Sequence, residues 1–343
     1  MLRALVTSSS RFKLVVSMLL IVFLMGTLSL IIGINVIQNS VVREGTDSVR
    51  NALAATNELY QEEIARRAKV VEYLAKTAEI VRAVSDEDRA FLYEKLSQIK
   101  AEFGFDIVNV VNPDGTILVR ANNFDAWGDS VAHYRYIQWV MRNRKLAAGT
   151  GLLGPENIRK ESKLLAERTV IPVVATPLAT PRGSGIEDRA LVMKAAAPIF
   201  EDGRMTGILY AAILLNNNEQ FIDRFKRLVF KDEKIEGRDV GASTLFLGDM
   251  RVTTTVADRT GKRAIGTLVS REVYRKVFEE GQTWLSPAFV VEKWYLSGYS
   301  PLRDIDGQIL GMSYVGILKD KFDAALRRTT ILFLLVIAGT TLL

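Results

Sequence analysis

KWYLSGYSPLRDIDGQILGMSYVGIL, Lys293–Leu318, reads as two strands, roughly 293–302 and 308–318, folded back on one another across Arg303-Asp304-Ile305-Asp306-Gly307. Aspartate and glycine are turn formers, the glycine because it accepts positive φ without a steric penalty. Working outward, a strand is expected near 282–290 and a helix near 271–280, with Ser270 as its N-cap. A hairpin of 243–247 and 251–256 around Gly248-Asp249 precedes them, and a linking helix near 221–230 comes before that. The same order occurs once more upstream. A short helix near 87–102 leads to strands near 106–111 and 116–120, joined by Asn112-Pro113-Asp114-Gly115. A helix near 131–145 and strands near 149–154, 190–199 and 207–215 follow, the last two joined across Glu201-Asp202-Gly203-Arg204. Residues 156–187 contain three prolines and little periodicity, and read as an extended, partly irregular insertion. The fold class expected is α+β with antiparallel sheets, a duplicated unit rather than one enzyme core.

The ends of the chain are apolar. A run of about 23 residues, Leu14–Val36, exceeds the roughly 20 helical residues that a bilayer core requires. It is also too long for a signal-peptide core and lacks a small-residue cleavage site, so a retained anchor is expected. A second run starts at Thr329 and is still apolar at Leu343, which reads as the start of a second crossing cut short. Arg3, Arg11 and Lys13 precede the first run without an acidic residue, whereas Arg43 beyond it is followed by Glu44 and Asp47. Positive-inside bias places 1–13 in the cytoplasm and 37–328 outside, in a two-pass protein of the inner (cell) membrane.

Between the crossings a long stalk helix is expected over 37–84. Leu53, Tyr60, Leu74 and Val81 fall at heptad multiples, with Ile64, Val71 and Ala78 interleaved and Arg67 breaking the seam. At 1.5 Å per residue such a helix reaches about 70 Å. The seam points to a homodimer formed along the stalk, with a stalk packed on its own chain as the alternative.

The strings GDMRVTTTV (248–256), GKRAIGTLVSREVYRKVFEEG (261–281) and EKWYLSGYSPLRDIDGQILGMSYVGI (292–317) resemble the membrane-proximal half of extracytoplasmic Cache sensors, of the Cache-3/Cache-2 fusion type. NPDGTILVRANN (112–123) and KAAAPIFEDGRMTGILYAAILLN (194–216) resemble the distal half more loosely. The resemblance implies two tandem PAS-like modules flanked by two transmembrane helices: a distal module over 85–216, a linking helix over 217–239 and a proximal module over 240–328. It further implies a ligand sensor feeding a histidine kinase, a chemoreceptor or a cyclic-dinucleotide enzyme. The stalk segment 49–64 resembles kinase stalks, which inclines the expectation to a kinase.

Cache pockets lie between the sheet and its covering helix, more usually in the distal module. There Tyr134, Arg135, Tyr136 and Trp139 put a guanidinium among aromatic rings within two helical turns, a set suited to gripping a carboxylate. An amphipathic helix with Tyr136 and Trp139 in the core explains the same residues. Lys194 and Arg120 are charges in apolar strands: inside a pocket each wants an anion, and on a solvent face neither means anything. Trp139 lies four residues after Arg135, which departs from the arginine–tryptophan–tyrosine spacing of amino-acid-binding double Cache sensors. In the proximal module Arg251, Arg263, Tyr295 and Tyr299 form the comparable secondary pocket, Arg251 matching the arginine of the family's GDxR string.

Catalysis finds no foothold. One histidine, His133, cannot build a multi-histidine metal site, and the chain contains no cysteine. No GxSxG or GxxxxGK[ST] string occurs, so neither an enzyme activity of this chain nor a metal or cofactor is expected. A net charge of +6, spread without basic blocks, argues against a nucleic-acid partner. The partners expected are a small anionic molecule and the membrane, with a membrane-anchored protein-interaction module as the alternative class.

Overall fold

A computed structural model describes residues 10–181, 185–235 and 237–342. Of the expected cytoplasmic flank, residues 1–9 with Arg3 lie outside these, as does Leu343. The chain divides into two units, residues 1–48 with 318–343, and residues 49–317.

The described residues of the first unit are helical but for Leu318, which ends a strand. Val16–Val36, with a mean hydropathy of 2.5, is the one stretch among the described residues long and apolar enough to cross a membrane. Met18, Leu20, Met25 and Ile31 on it are each more than half exposed. The run beginning at Thr329 lies in the helix Lys319–Leu342.

The second unit begins inside the helix Ser10–Leu74. That helix stops ten residues short of the expected stalk end: Thr77 donates its hydroxyl to the Leu74 carbonyl at 2.8 Å, and a separate helix, Ala78–Ser85, follows. A hydroxyl that satisfies a terminal carbonyl competes with the helix for it. Most of the heptad seam is a buried face within this chain. Tyr60 and Ile64 pack against Leu191, Met193 and Phe225, Val71 and Leu74 pack against Ile80 and Leu92, and Ala78 is exposed. The helix Arg89–Phe103 comes next, capped where Asp88 accepts from the Phe91 amide at 3.1 Å and ended at Gly104, φ +64°.

Two five-stranded antiparallel sheets follow. The first contains β1 (Ile107–Val111), β2 (Ile117–Arg120), β3 (Ala147–Leu153), β6 (Ala190–Glu201) and β7 (Arg204–Leu214), in the order β2-β1-β7-β6-β3. The second contains β10 (Gly241–Leu247), β11 (Met250–Thr254), β12 (Trp284–Val290), β13 (Lys293–Arg303) and β14 (Ile309–Leu318), in the order β11-β10-β14-β13-β12. Strand for strand the orders correspond, with the first hairpin at one edge and the last strand in sequence at the centre. The α+β class, the N-terminal helix and the antiparallel sheets are as the sequence implies. Two-residue pairs, β4 (Ile171–Pro172) with β5 (Ile186–Glu187) and β8 (Lys234–Ile235) with β9 (Arg238–Asp239), complete the strands among the described residues.

Both faces of the first sheet are covered, which is why β1 and β2 are buried at every position. Val71, Ile80, Leu92 and Leu96 cover one face. Tyr136, Ile137 and Val140 of the helix Arg135–Asn143, with Ile158 and Leu165, cover the other. The last two come from the segment expected to be irregular, which forms the helices Pro155–Glu161 and Lys163–Thr169. Residues expected as one helix near 271–280 form the short helix Arg271–Tyr274 and a π-helical turn, Arg275–Glu279. Between the sheets, Leu191, Met193, Leu245, Met250, Leu302 and Leu310 share one core with Tyr60 and Ile64.

Gly307 sits in the β13–β14 turn at φ +83° with nothing near its missing Cβ. Strain, not crowding, is the penalty for a side chain there. Gly307→Ala is expected to lower stability by about 1 kcal/mol, as chemical denaturation curves check.

Candidate functional site

A cavity of about 320 Å³ lies between the helix Arg135–Asn143, strands β3 and β6, and the β13–β14 turn. Four of the six distal residues singled out in the sequence line it: Tyr134, Arg135, Tyr136 and Lys194. Trp139 packs against the core beside Tyr136 instead, and Arg120 lies deeper in the same covered face.

Lys194 is placed by register. It pairs with Gly149 on β3 and Ala212 on β7, on the face shared by Val192 and Ala196. Its side chain lies along Gly151, where any Cβ would overlap the Lys194 methylenes, so the glycine makes its room. The ammonium donates to the Leu152 carbonyl at 3.2 Å and sits 5.0 Å and 5.9 Å from the ring centroids of Tyr136 and Tyr134. Among the described residues no carboxylate lies within ion-pair distance of it. Burial pushes its pKa down to about 7, against a smaller opposing pull from Asp304.

Arg135 is already engaged. Its Nη1 donates to Asp304 Oδ2 at 3.0 Å and Asp306 Oδ2 at 2.7 Å, and its Nη2 to Gln308 Oε1 at 2.9 Å. The guanidinium that the sequence offers as the anion grip is thus held by the β13–β14 turn, and Lys194 is the cation of the cavity without an acidic partner. Tyr136 donates to the Thr150 carbonyl at 2.6 Å, and Tyr60 shares a 2.8 Å bond with the Thr150 hydroxyl, which fixes the wall. Burial raises the Tyr136 hydroxyl above the ordinary tyrosine range.

Arg120, 1% exposed, is paired twice. Its Nε donates to Glu161 Oε1 at 3.0 Å, and Nη1 and Nη2 grip the two oxygens of Asp129 at 2.7 and 3.0 Å. The hydrogen bond from Arg120 helps hold Asp129 down to about 2, while burial drives Glu161 the other way. Asn109 donates to Glu161 Oε1 at 2.7 Å. This row of Arg120, Asn109 and Tyr210 runs across β2, β1 and β7 by register. Sequence reading missed Asn109, Asp129, Glu161, Asp304 and Gln308; only the polarity of Asn109 within an apolar strand signalled any of them.

In the second sheet Arg251, 2% exposed, bonds Thr267 Oγ1 at 2.7 Å and stands 5.0 Å over the Phe246 ring. Its Nε has no partner among the described residues. Tyr295 and Tyr299 are near enough to favour its charge, although burial lowers its pKa overall. Arg263 is elsewhere, held by Asp223 at 2.7 Å and by the Thr254 carbonyl. A larger cleft of about 410 Å³ beside Trp284, Phe289 and Trp294 holds none of the ligand-binding candidates from the sequence, and its charged lining residues are exposed.

Among solved structures the chain is similar to the periplasmic domain of Vibrio cholerae LuxQ, at 14% identity over 78% of this chain and 98% of that one, TM-score 0.45. It is similar to the sensor domain of the V. cholerae histidine kinase DctB, at 11% identity over 80% and 97%, TM-score 0.43. A third is the ligand-binding domain of the Pseudomonas aeruginosa amino acid chemoreceptor PctB in complex with L-Gln, at 16% identity over 84% and 98%, TM-score 0.44. No curated protein matches the chain. Residues 213–329, which hold the linking helix and the whole second sheet, match the family described as single Cache domain 3, and this part of the chain thus carries a Cache-type domain.

Proposed function

We propose that residues 37–328 are the extracytoplasmic ligand-sensing region of a transmembrane signal-transduction receptor, with tandem Cache modules at 85–216 and 240–328, and that a small organic anion seats on Lys194 in the distal module. The observation that carries this reading is the buried Lys194 ammonium, which faces a cavity of about 320 Å³ among tyrosine rings with one backbone carbonyl for a partner. A buried cation without an anion is costly, and a cavity of that size suits a small acid. The Cache match at 213–329 supports the sensor class, and the common strand order of the two sheets supports extending it to the first half. Arg251, buried with a free Nε, is the secondary pocket of this reading. The chain itself carries out no chemistry in it; the output is a histidine kinase, on the resemblance of the stalk segment 49–64, and a chemoreceptor would use the same sensor.

The test is a pH profile of carboxylate binding to the full chain in nanodiscs. An anion binds the charged ammonium, and Lys194 loses its proton near pH 7 when the site is empty. Affinity is therefore expected to be flat below that pH and to fall about tenfold per pH unit above it, the slope of one linked proton. A profile flat through pH 9 would move the anion away from Lys194.

A further inference from the structure

The cavity has two walls from different parts of the second unit. Tyr134, Tyr136 and Lys194 belong to the first sheet and its covering helix, whereas Asp304 and Gln308 belong to the β13–β14 turn. Arg135 ties them together through its three bonds to Asp304, Asp306 and Gln308. Asp304 is the pivot. Its side chain is 4% exposed, and its Oδ1 accepts the backbone amides of Asp306 at 3.0 Å and Gln308 at 2.8 Å. One carboxylate thus shapes the turn and receives the guanidinium. The turn feeds β14, the central strand of the second sheet, which pairs with β10 from Gly241 to Leu247 and continues in sequence into the helix Lys319–Leu342.

We propose that an anionic ligand on Lys194 opens this clamp: its charge repels Asp304 and competes for Arg135, so the β13–β14 turn loosens as the cavity fills and the change enters β14. The inference rests on the reading of the cavity as an anion site. Like charges brought together in a poorly solvated space disfavour one another, and a guanidinium shared with a new carboxylate holds the old ones less well. The clamp is also weak enough to open. Arg135 is 48% and Asp306 55% exposed, and exposed ion pairs contribute little. A contact that must switch between two states has to be marginal, because a ligand shifts an equilibrium only by its differential affinity for them.

The experiment is hydrogen exchange of the peptide covering residues 303–309 in the full chain in nanodiscs at pH 6, with acetate, L-lactate and succinate as probes and the melting temperature read in parallel. A probe that raises the melting temperature should speed exchange of this peptide by about threefold or more, as local opening does. Arg135→Gln should exchange fast without a probe and show no further change with one. Should that variant fold poorly, Asp306→Asn, which removes one exposed contact, should give an intermediate rate. Lys194→Met should exchange slowly under all conditions. A probe that binds the wild type without changing the peptide overturns the clamp and leaves the anion site standing. Variants at Arg135 and Asp306 that exchange like the wild type overturn it too, and a wild type stabilised by none of the probes overturns both the clamp and the anion site.

Discussion

Replacing Lys194 with methionine is expected to make the ligand-free protein more stable and to abolish its response to carboxylates. The side chain is 6% exposed and has a single carbonyl for its three ammonium protons. Methionine has similar length, fits the trough along Gly151 and requires no solvation. Replacing buried charge by well-packed apolar groups has stabilised other proteins by about 1–4 kcal/mol, and a gain toward the lower end is expected here. The sign with pH follows from the direction of the shift. Because the folded-state value is lowered, to about 7, the destabilisation by wild-type Lys194 is fully present below that pH. It is relieved as pH rises from there toward the ordinary lysine value, since over that range the unfolded chain binds the extra proton. The variant's advantage in melting temperature should therefore be largest near pH 6 and shrink by pH 9. Binding should move the opposite way: an anion that loses its buried cation loses about 2–5 kcal/mol, enough to take a micromolar ligand out of range.

Arg120→Met is expected to do the reverse and cripple the fold. Arg120 is the common partner of Asp129 and Glu161, and its removal leaves Glu161, 6% exposed, facing neutral amides such as that of Asn109. Breaking a buried pair from one side costs about 3–5 kcal/mol, because the charge left behind has no compensation. Against a total stability of about 5–15 kcal/mol, the first sheet should lose cooperative folding near physiological temperature. Glu161→Gln should be much milder, since burial already pushes that carboxyl toward its neutral form and the amide keeps an oxygen for Arg120. Chemical denaturation of the two variants side by side separates these outcomes, and equal losses would contradict the assignment of Arg120 as the hub.

Hairpins were legible because their turns are written locally: Asn112-Pro113-Asp114-Gly115 and Asp304 to Gly307 each carry the residues that their dihedral angles require. The heptad seam was legible as a buried face, but a period reports that a face is buried and not what covers it; Tyr60 and Val71 found cover within their own chain. The partners of the charges were not legible. Glu161 reaches Arg120 from 41 residues away, and Asp304 reaches Arg135 from 169, separations at which no spacing rule operates. Hence the cluster at Tyr134 to Tyr136 and Lys194 was found, while the division of labour between its two cations came only with the folded chain. The two short helices within the insertion at 156–187 were not legible because seven residues are too few to show periodicity.

The most direct test of the anion site is a thermal-shift comparison of the wild type and Lys194→Met, side by side at pH 6, against small carboxylates, amino acids and amines. A ligand at 100 times its dissociation constant adds about 2.7 kcal/mol to the stability of the folded state. At least one carboxylate should raise the melting temperature of the wild type and leave Lys194→Met unmoved. Stabilisation by amines alone, or by carboxylates to the same extent in both proteins, would contradict an anion seated on Lys194.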